Sequence, residues 1–395
     1  MAPADPLQRR IKQHVAARSH DFFAIAGPGL EALCLEEIAS RIAESRTSDP
    51  SEGGIAFKAR LHDAYAVNLW SATASRVLMR IGTLSADGFR KLKRRVSDFP
   101  WELYLPAGTP MHVNVALHHS RLYHKDAVAD CLREGIENRF EAQGLTLPAD
   151  PGPQDTQTLY ARAIDNRFTL SLDMSGEHLH KRGLKVRAGK APLRETLAAA
   201  VLKLAGYQGD DLLLDPMCGS GTFSLEAAMM SKRIPPGWFR SFAFEKWPAF
   251  QPGRWTHLRR EAEQGFRNLP APIVLASDRK AAMVGGLKET VRAGGMEDAV
   301  RVRRADFFDL IPEKDTGRRG LVVLNPPYGL RLDTPQESLQ LYREIGVKLR
   351  RDFSGWRAAV LSPDPEPDEQ LQLPGRRHFL FHGGLRLLLC ISDIT

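Results

Sequence analysis

The second half of the chain alternates short apolar runs with segments in which apolar residues recur at helical spacing. The runs predicted as strands are LLLD (212–215), IVLAS (273–277), VRVR (300–303), LVVL (321–324) and AAVL (358–361). In one intervening segment, Val284, Leu287 and Val291 share one face of a predicted helix. Alternating strands and helices predict a parallel sheet with helices on both faces.

The last apolar segment predicts a hairpin. Two apolar stretches flank Gly383-Gly384 in RHFLFHGGLRLLLCISDI (377–394), and paired glycines favour a tight turn. Five parallel strands and this hairpin together predict a seven-stranded α/β sheet with an antiparallel member at the end.

The first half mixes helices with strands in another order. FFAIA (22–26) and GIAFK (54–58) are predicted strands, and residues 60–80 are predicted to be a helix. MHVNVAL (111–117) is a third strand. The helix after it carries apolar residues at every fourth position, namely Val128, Leu132, Ile136 and Phe140. TLYARAI (158–164) and RFTLSLD (167–173) then predict a hairpin around Asp165-Asn166, so this half is a small α+β unit.

These patterns predict four regions. They are a flexible polar tail (1–20), an N-terminal α+β region (21–175), a basic linker (176–192) and a C-terminal α/β domain (193–395). A length of 395 residues agrees with more than one domain.

The composition of the chain indicates which binding partners and which cellular compartment to expect. The net charge is +8 and the pI about 9.4, which favours nucleic acid or another anionic partner. Four scattered cysteines without a CxxC pair indicate a reducing compartment and no metal site. The sequence shows no apolar run of membrane-spanning length and no secretory signal at its N-terminus, so we expect a cytoplasmic protein with no membrane association.

A glycine-containing loop follows the first strand of the α/β half. Asp215 precedes Cys218-Gly219-Ser220-Gly221, and a helical run follows. A dinucleotide site would show G-x-G-x-x-G, whereas this loop has only G-x-G after an acid. An acid repels a pyrophosphate but suits a cation such as S-adenosylmethionine, which carries a sulfonium and an ammonium. The alternative is a strand-to-helix turn that simply needs small residues.

Two further acids end predicted strands. Asp278 closes VLASD, where an acid in an open α/β sheet accepts hydrogen bonds from ribose hydroxyls. Asp306 follows VRVRRA, where it can accept a hydrogen bond from an adenine amino group. Each alone is commonly a polar strand end, but together with Asp215 they predict a cofactor crevice.

The fourth strand ends in Asn325-Pro326-Pro327-Tyr328. Two prolines forbid further pairing, so the corner is rigid. The Asn325 side-chain carbonyl and the Pro326 main-chain carbonyl can together accept both hydrogens of an exocyclic amine, and Tyr328 can stack on the base. Held in this way, the amine presents its lone pair for in-line attack on a methyl sulfonium. The alternative is a stiff strand-to-loop corner.

Three segments resemble a known family. DPMCGSGTFSLEAAM (215–229), LNPPYGLRLD (324–333) and LDMSGEHLHKRGLKVRAGKAPLRETLAAAVL (172–202) are similar to bacterial THUMP-domain RNA guanine-N2 methyltransferases. Within that group, the chain resembles the N-terminal half of the bifunctional enzymes that act on large-subunit ribosomal RNA. The second methyltransferase half of those enzymes has no counterpart in this sequence, so a 7-methylguanine activity does not follow.

The resemblance implies a fold, a cofactor and a site. The fold is a Rossmann-like class I methyltransferase domain preceded by a ferredoxin-like and THUMP RNA-binding region, and the cofactor is S-adenosylmethionine. Cofactor-binding residues carried over by motif are Asp215, Pro216, Cys218, Gly219, Ser220, Gly221, Thr222, Asp278 and Asp306. The residues implied at the target base are Asn325, Pro326, Pro327 and Tyr328.

Two basic segments are predicted to bind RNA phosphates. The first is FRKLKRR (89–95), with Arg90, Lys91, Lys93, Arg94 and Arg95. The second is the linker, with Lys181, Arg182, Lys185 and Arg187. A solvated helix face is the alternative for the first. The aromatic segment 235–255 is predicted to pack in the core beside the cofactor loop, with base stacking and shaping of the pocket as the alternatives.

Rival functions remain open at this point. The corner accepts a guanine N2 or an adenine N6 amine, so a transfer-RNA guanine-N2 enzyme and an adenine-N6 enzyme acting on DNA or RNA are alternatives to one acting on 23S ribosomal RNA. An RNA-binding ribosome-assembly factor without activity is the alternative outside the enzymes.

Overall fold

The computed structural model describes residues 5–42, 47, 53–145, 156–184, 193–312, 319–327 and 334–395. The helices of these residues are α1 (Pro6–Ile11), α2 (Glu31–Ala39), α3 (Leu61–Trp70), α4 (Phe89–Ser97), α5 (Lys125–Ala142), α6 (Glu195–Leu204), α7 (Thr222–Lys232), α8 (Pro252–Gln264), α9 (Ala281–Ala293), α10 (Pro335–Asp352) and α11 (Pro365–Leu371). The strands are β1 (Ser19–Ala26), β2 (Gly54–Arg60), β3 (Ala74–Ser85), β4 (Met111–His118), β5 (Gln157–Ile164), β6 (Arg167–Asp173), β7 (Leu213–Asp215), β8 (Val274–Asp278), β9 (Val300–Arg304), β10 (Leu321–Leu324), β11 (Arg357–Ser362), β12 (Arg376–His382) and β13 (Leu385–Asp393).

The N-terminal half forms a six-stranded sheet in the order β2-β1-β3-β6-β5-β4. The β4–β5 pair is parallel and the other neighbours are antiparallel. The predicted hairpin turn is confirmed, since Asp165 and Asn166 have φ values of 50° and 66°, the left-handed conformation that such turns require. The predicted α+β character of this half is therefore confirmed.

The helix predicted over residues 60–80 is wrong beyond Trp70. There the chain leaves α3 and, after a short loop, forms the long strand β3 between β1 and β6. The carboxylate of Glu37 accepts hydrogen bonds from the main-chain N–H groups of Ala72 and Thr73, both at 3.1 Å. This long-range contact fixes the turn, and the spacing of apolar residues cannot reveal it.

The predicted polar tail is also partly wrong. Residues 5–20 contain α1, a following π-helical turn at Lys12–Ala16 and the start of β1. Ile11 and Val15 are 3% and 0% exposed and pack in the core of the N-terminal half. Two apolar side chains one turn apart anchor this segment although its other residues are mostly polar.

The C-terminal half forms the predicted seven-stranded sheet, in the order β12-β13-β11-β10-β7-β8-β9. Strands β7 to β11 are parallel, and β13 runs antiparallel to both of its neighbours. The antiparallel strand therefore lies inside the sheet, and β12 is at the edge. Apolar side chains cover both faces of the central strands, and Val322, Val323 and Leu324 are all 0% exposed.

The aromatic segment 235–255 packs only in part where predicted, since Trp238 and Phe239 pack against the core cluster that contains Cys218 and Phe223, whereas the rest packs in the N-terminal half. Phe244 stacks on Tyr65 of α3 with ring centroids 4.3 Å apart, and Trp255 meets the same tyrosine edge-on at 6.2 Å. The segment therefore completes the core of the N-terminal half and joins the two halves. Among the described helices, none has both the length and the apolar character needed to span a bilayer.

Candidate active site

The carboxyl ends of β7, β8, β9 and β10 border a cleft of about 690 Å³. Open parallel sheets bind ligands at this edge. The predicted site residues that line the cleft are Pro216, Cys218, Gly219, Ser220, Thr222, Asp278, Asp306, Asn325 and Pro327. Residues separated by more than a hundred positions in the sequence therefore meet in one cavity.

The loop between β7 and α7 depends on its glycines. Gly219 and Gly221 have φ values of 53° and 79°, in the left-handed region that glycine tolerates. A Cβ atom on Gly221 would lie 2.2 Å from a methyl carbon of Leu287, so a side chain there would push the loop away from α9. Gly221 thus shapes the loop, although it does not itself line the cleft.

Asp215 does not reach the cleft that it was predicted to line. Its side chain is 1% exposed and accepts a hydrogen bond of 2.7 Å from the Ser224 hydroxyl of α7. Burial raises the pKa of Asp215 to about 7. The prediction that Asp215 contacts the cofactor directly is therefore corrected. Its carboxyl links the end of β7 to α7 and so stabilises the loop between them.

Asp278 both lines the cleft and braces the loop. One of its carboxylate oxygens accepts the N–H of Gly219 at 3.0 Å, and the other accepts the N–H of Lys280 at 2.8 Å. Asp306 accepts the N–H of Phe308 at 3.0 Å and caps the short turn Phe307–Asp309. Both acids hence stand at strand ends, as predicted, and these hydrogen bonds fix their orientations.

The corner after β10 leaves one polar atom without a partner. Asn325 lines the cleft, and its side-chain oxygen is buried with no hydrogen-bond partner among the described residues. A buried acceptor left unsatisfied costs about 1–3 kcal/mol, so such atoms point to a ligand group. Pro326 is buried and does not itself line the cleft, and Tyr328 lies outside the described residues.

Sequence reasoning missed several residues of the cleft. They are Leu193, Met217, Phe223, Arg279, Lys280, Met283, Phe307, Phe308, Glu337 and Leu341. Two of them carried a usable signal, since Glu337 and Leu341 stand four residues apart at the start of a helix and share one face. The aromatic pair after Asp306 was a second signal, because it follows a strand end already assigned to the site.

The predicted phosphate contact at Arg182 is contradicted by its burial. Arg182 is 4% exposed and pairs with Glu226 of α7 at 3.0 and 3.2 Å. It also donates to the main-chain carbonyls of Ala72 at 2.7 Å and Leu179 at 2.9 Å. All three nitrogens of its guanidinium therefore donate to partners inside the protein. Lys181 is exposed, whereas Lys185 and Arg187 lie outside the described residues.

The basic residues of FRKLKRR lie along α4. Arg90, Arg94 and Arg95 are exposed. Lys91 pairs with Asp87 at 3.2 Å and Lys93 with Glu134 at 2.7 Å. The three arginines are therefore the cations of this helix best placed to contact phosphates.

Comparisons with known proteins identify the family. The RMKL-like methyltransferase domain matches residues 182–380, and the RlmL ferredoxin-like domain matches residues 21–78. The ribosomal RNA large subunit methyltransferase K/L of Syntrophotalea carbinolica is 35% identical over 95% of this chain and 53% of its own. A Synechocystis sp. protein, provisionally named an RNA methyltransferase, is 31% identical over 93% of this chain and 95% of its own. The chain thus spans about half the length of the K/L relative.

Solved structures agree with the fold over nearly the whole chain. SMU.472, provisionally assigned as a methyltransferase and solved with S-adenosylhomocysteine, is 26% identical with a TM-score of 0.83, covering 96% of this chain and 99% of its own. A Listeria monocytogenes protein predicted to be an N6-adenine-specific DNA methylase is 28% identical with a TM-score of 0.84, covering 96% and 97%. This chain belongs to the RMKL-like methyltransferase family.

Proposed function

We propose that this protein transfers the methyl group of S-adenosylmethionine to the exocyclic N2 amine of a guanine in RNA, with 23S ribosomal RNA as the favoured substrate. The observation that carries the proposal is the buried, unpartnered side-chain oxygen of Asn325 at the wall of the cleft. It is an acceptor in need of a donor, and an exocyclic amine is such a donor.

The cleft fits S-adenosylmethionine, the methyl donor. Gly219 leaves open space where a side chain would stand, so the backbone can approach a ligand there. Asp278 and Asp306 offer carboxylate oxygens at the ends of β8 and β9, suited to ribose hydroxyls and to the adenine amino group. When bound, the cofactor supplies an electrophilic methyl group on a positively charged sulfur.

The corner residues orient the target amine. Asn325 accepts one amine hydrogen at its side-chain oxygen, and the main-chain carbonyl of Pro326 accepts the other. Two fixed acceptors draw the nitrogen lone pair out of conjugation with the base and point it towards the methyl group. The nitrogen releases one proton to water as it gains the methyl group, and positioning of this kind lowers the barrier without an acidic or basic side chain. Tyr328 is assigned the base-stacking role.

RNA is proposed as the substrate because of features outside the corner after β10. We assign RNA binding to residues 21–175 and methyl transfer to residues 193–395. The exposed arginines of α4 and the net charge of +8 support an RNA partner. The resemblance to enzymes of large-subunit ribosomal RNA favours guanine N2 over adenine N6 and supports a reaction in the cytoplasm. A paired guanine hides its amine, so the target base must be unpaired or flipped out.

Nucleoside analysis tests this proposal. The protein and labelled S-adenosylmethionine are incubated separately with protein-free ribosomal RNA, transfer RNA and duplex DNA, and the labelled nucleoside is identified after digestion. We expect N2-methylguanosine from the large-subunit RNA. N2-methylguanosine from transfer RNA alone would change the substrate and keep the chemistry. Label in N6-methyladenine would overturn the guanine assignment, and no labelled product from any substrate would favour an assembly factor.

A further inference from the structure

The β12–β13 hairpin exposes large apolar side chains beside the methyltransferase cleft. Phe379 and Phe381 are 49% and 47% exposed, whereas Leu380 between them is 1% exposed and packs in the core. Because side chains alternate along a strand, both rings stand on the face of the sheet opposite to Leu380. Exposed apolar groups gathered in one patch commonly mark a binding surface.

An arginine completes this surface. Arg386 of β13 lies opposite Phe381 in the strand register, and its guanidinium carbon is 3.8 Å from the ring centroid of Phe379. We call Phe379, Phe381 and Arg386 the hairpin face. The hairpin from Arg376 to Asp393 contains three arginines and one acid. That acid, Asp393, pairs with Arg357 at the far end of the strand at 2.7 Å, and Arg377 pairs with Asp368 at 3.0 Å. The positive charge of the hairpin face that complements phosphate is therefore that of Arg386.

The strand registers place the hairpin face towards the edge of the sheet at which the cleft lies. The ladder aligns Leu324 of β10 with Arg377 of β12 through one residue each of β11 and β13. Both strands run in the same direction, so Phe379 and Phe381 lie two and four residues beyond this line, towards the edge where Asn325 stands. Three strand spacings separate β10 from β12, about 14 Å.

The hairpin also touches both parts of the protein that an RNA must reach. The side chain of His382 accepts a hydrogen bond of 3.3 Å from the N–H of Arg194, and the preceding residue, Leu193, lines the cleft. On the other side, a side-chain carbon on Gly29 would lie 3.2 Å from the main-chain oxygen of Phe379. The hairpin therefore bridges the rim of the cleft and the N-terminal half.

We propose that the hairpin face is a stacking surface for unpaired RNA bases that flank the target guanine. Aromatic rings at alternating positions on an exposed sheet stack successive bases, and an arginine guanidinium can stack on a base or contact a phosphate. The proposal rests on the RNA function proposed above. It assigns the flanking strand a path from Asn325 across β11 and β13 to β12.

Binding of unpaired RNA by hairpin variants tests the proposal. Phe379→Leu, Phe381→Leu and their double variant keep an apolar side chain and remove the ring. We expect each single change to weaken binding of a labelled unpaired oligoribonucleotide by at least about fivefold, as measured for loss of one stacked base. The KM for RNA should rise similarly, and the cofactor Kd should stay within twofold. Phe381→Tyr keeps the ring and should retain wild-type affinity.

Val347→Ala is the matched control, since Val347 is 48% exposed on α10 and carries no ring. It should leave RNA affinity unchanged. Unchanged RNA affinity in the double leucine variant would overturn the proposal. The proposal would also be overturned if this variant lost self-association, measured by sedimentation, but kept its RNA affinity. The binding assay needs no methyl transfer. The test of the hairpin face can therefore be interpreted even if the guanine-N2 assignment fails.

Discussion

The guanidinium of Arg182 forms two hydrogen bonds with the carboxylate of Glu226, at 3.0 and 3.2 Å, and both side chains are nearly fully buried. Glu226 lies on α7, the helix that begins at the loop predicted to hold the cofactor. Arg182 also holds the main-chain carbonyl of Ala72 from the N-terminal half. One side chain thus fixes the N-terminal half against the helix that shapes the cleft.

Arg182→Met should strongly destabilise the protein. It removes both guanidinium bonds from a buried carboxylate, and breaking a buried pair in this way costs about 3–5 kcal/mol. Denaturant unfolding measures the loss. The control is Lys181→Met, which removes an exposed pair with Glu177 and should cost at most about 1 kcal/mol. Equal stabilities of the two variants would contradict the structural role of Arg182.

Asp215 should make stability depend on pH. Because burial raises its pKa to about 7, the folded chain binds this proton more tightly than the unfolded chain does. The contribution of Asp215 to stability is therefore greatest below its unfolded pKa of about 4 and falls as the pH rises towards 7. Asp215→Asn removes this titration.

Urea unfolding of wild type and Asp215→Asn across pH measures this effect. The stability of the variant relative to wild type should rise between about pH 4 and the raised pKa, then level off. Asp210→Asn changes an exposed acid nearby and serves as the control. A difference between wild type and Asp215→Asn that does not vary with pH would show that Asp215 is not buried as described.

Asp278→Ala should weaken cofactor binding while the fold persists. The change removes the predicted ribose acceptor and also the brace on the N–H of Gly219. Loss of a hydrogen bond to a charged group costs about 1.5–3 kcal/mol, so the Kd for S-adenosylmethionine should rise about tenfold or more. Calorimetry measures it, with Asp309→Ala, an exposed acid of the neighbouring turn, as the control. An unchanged Kd would reject the ribose role.

The exposed arginines of α4 should contribute to the salt dependence of RNA binding. Each phosphate contact adds about 0.7–0.9 to the slope of log affinity against log salt, so Arg94→Ala with Arg95→Ala should reduce the slope by about 1.5. Arg260→Ala with Lys288→Ala removes the same charge from α8 and α9 and should leave the slope unchanged. Equal slopes for both double variants would show that α4 does not contact RNA.

Local pattern predicted the sheet of the C-terminal half and about half of the residues that line its cleft. The apolar runs ending at Asp278 and Leu324 are buried strands, and parallel strands carry their carboxyl ends to one edge. Order along the chain was therefore enough to bring Asp278, Asp306 and Asn325 together.

Tertiary contacts decided what the pattern missed. Ala72 fits a helical period with Leu61 and Tyr65. However, the Glu37 carboxylate accepts a hydrogen bond from the main-chain N–H of Ala72, and the helix ends before this residue. Arg182 stands in a basic run that indicates phosphate binding, but its partner Glu226 is 44 residues away. Partners so distant in sequence leave no periodic signal.

Single-turnover methylation by Asn325→Ala tests the central claim most directly. Wild type and variant are mixed with saturating labelled S-adenosylmethionine and large-subunit RNA, and the cofactor Kd is measured in parallel. Asn268→Ala, an exposed asparagine, is the control. Loss of one oriented acceptor predicts a rate about a hundredfold lower with the cofactor Kd unchanged. A near-normal rate in Asn325→Ala would contradict the assignment of the corner as the site that holds the target amine.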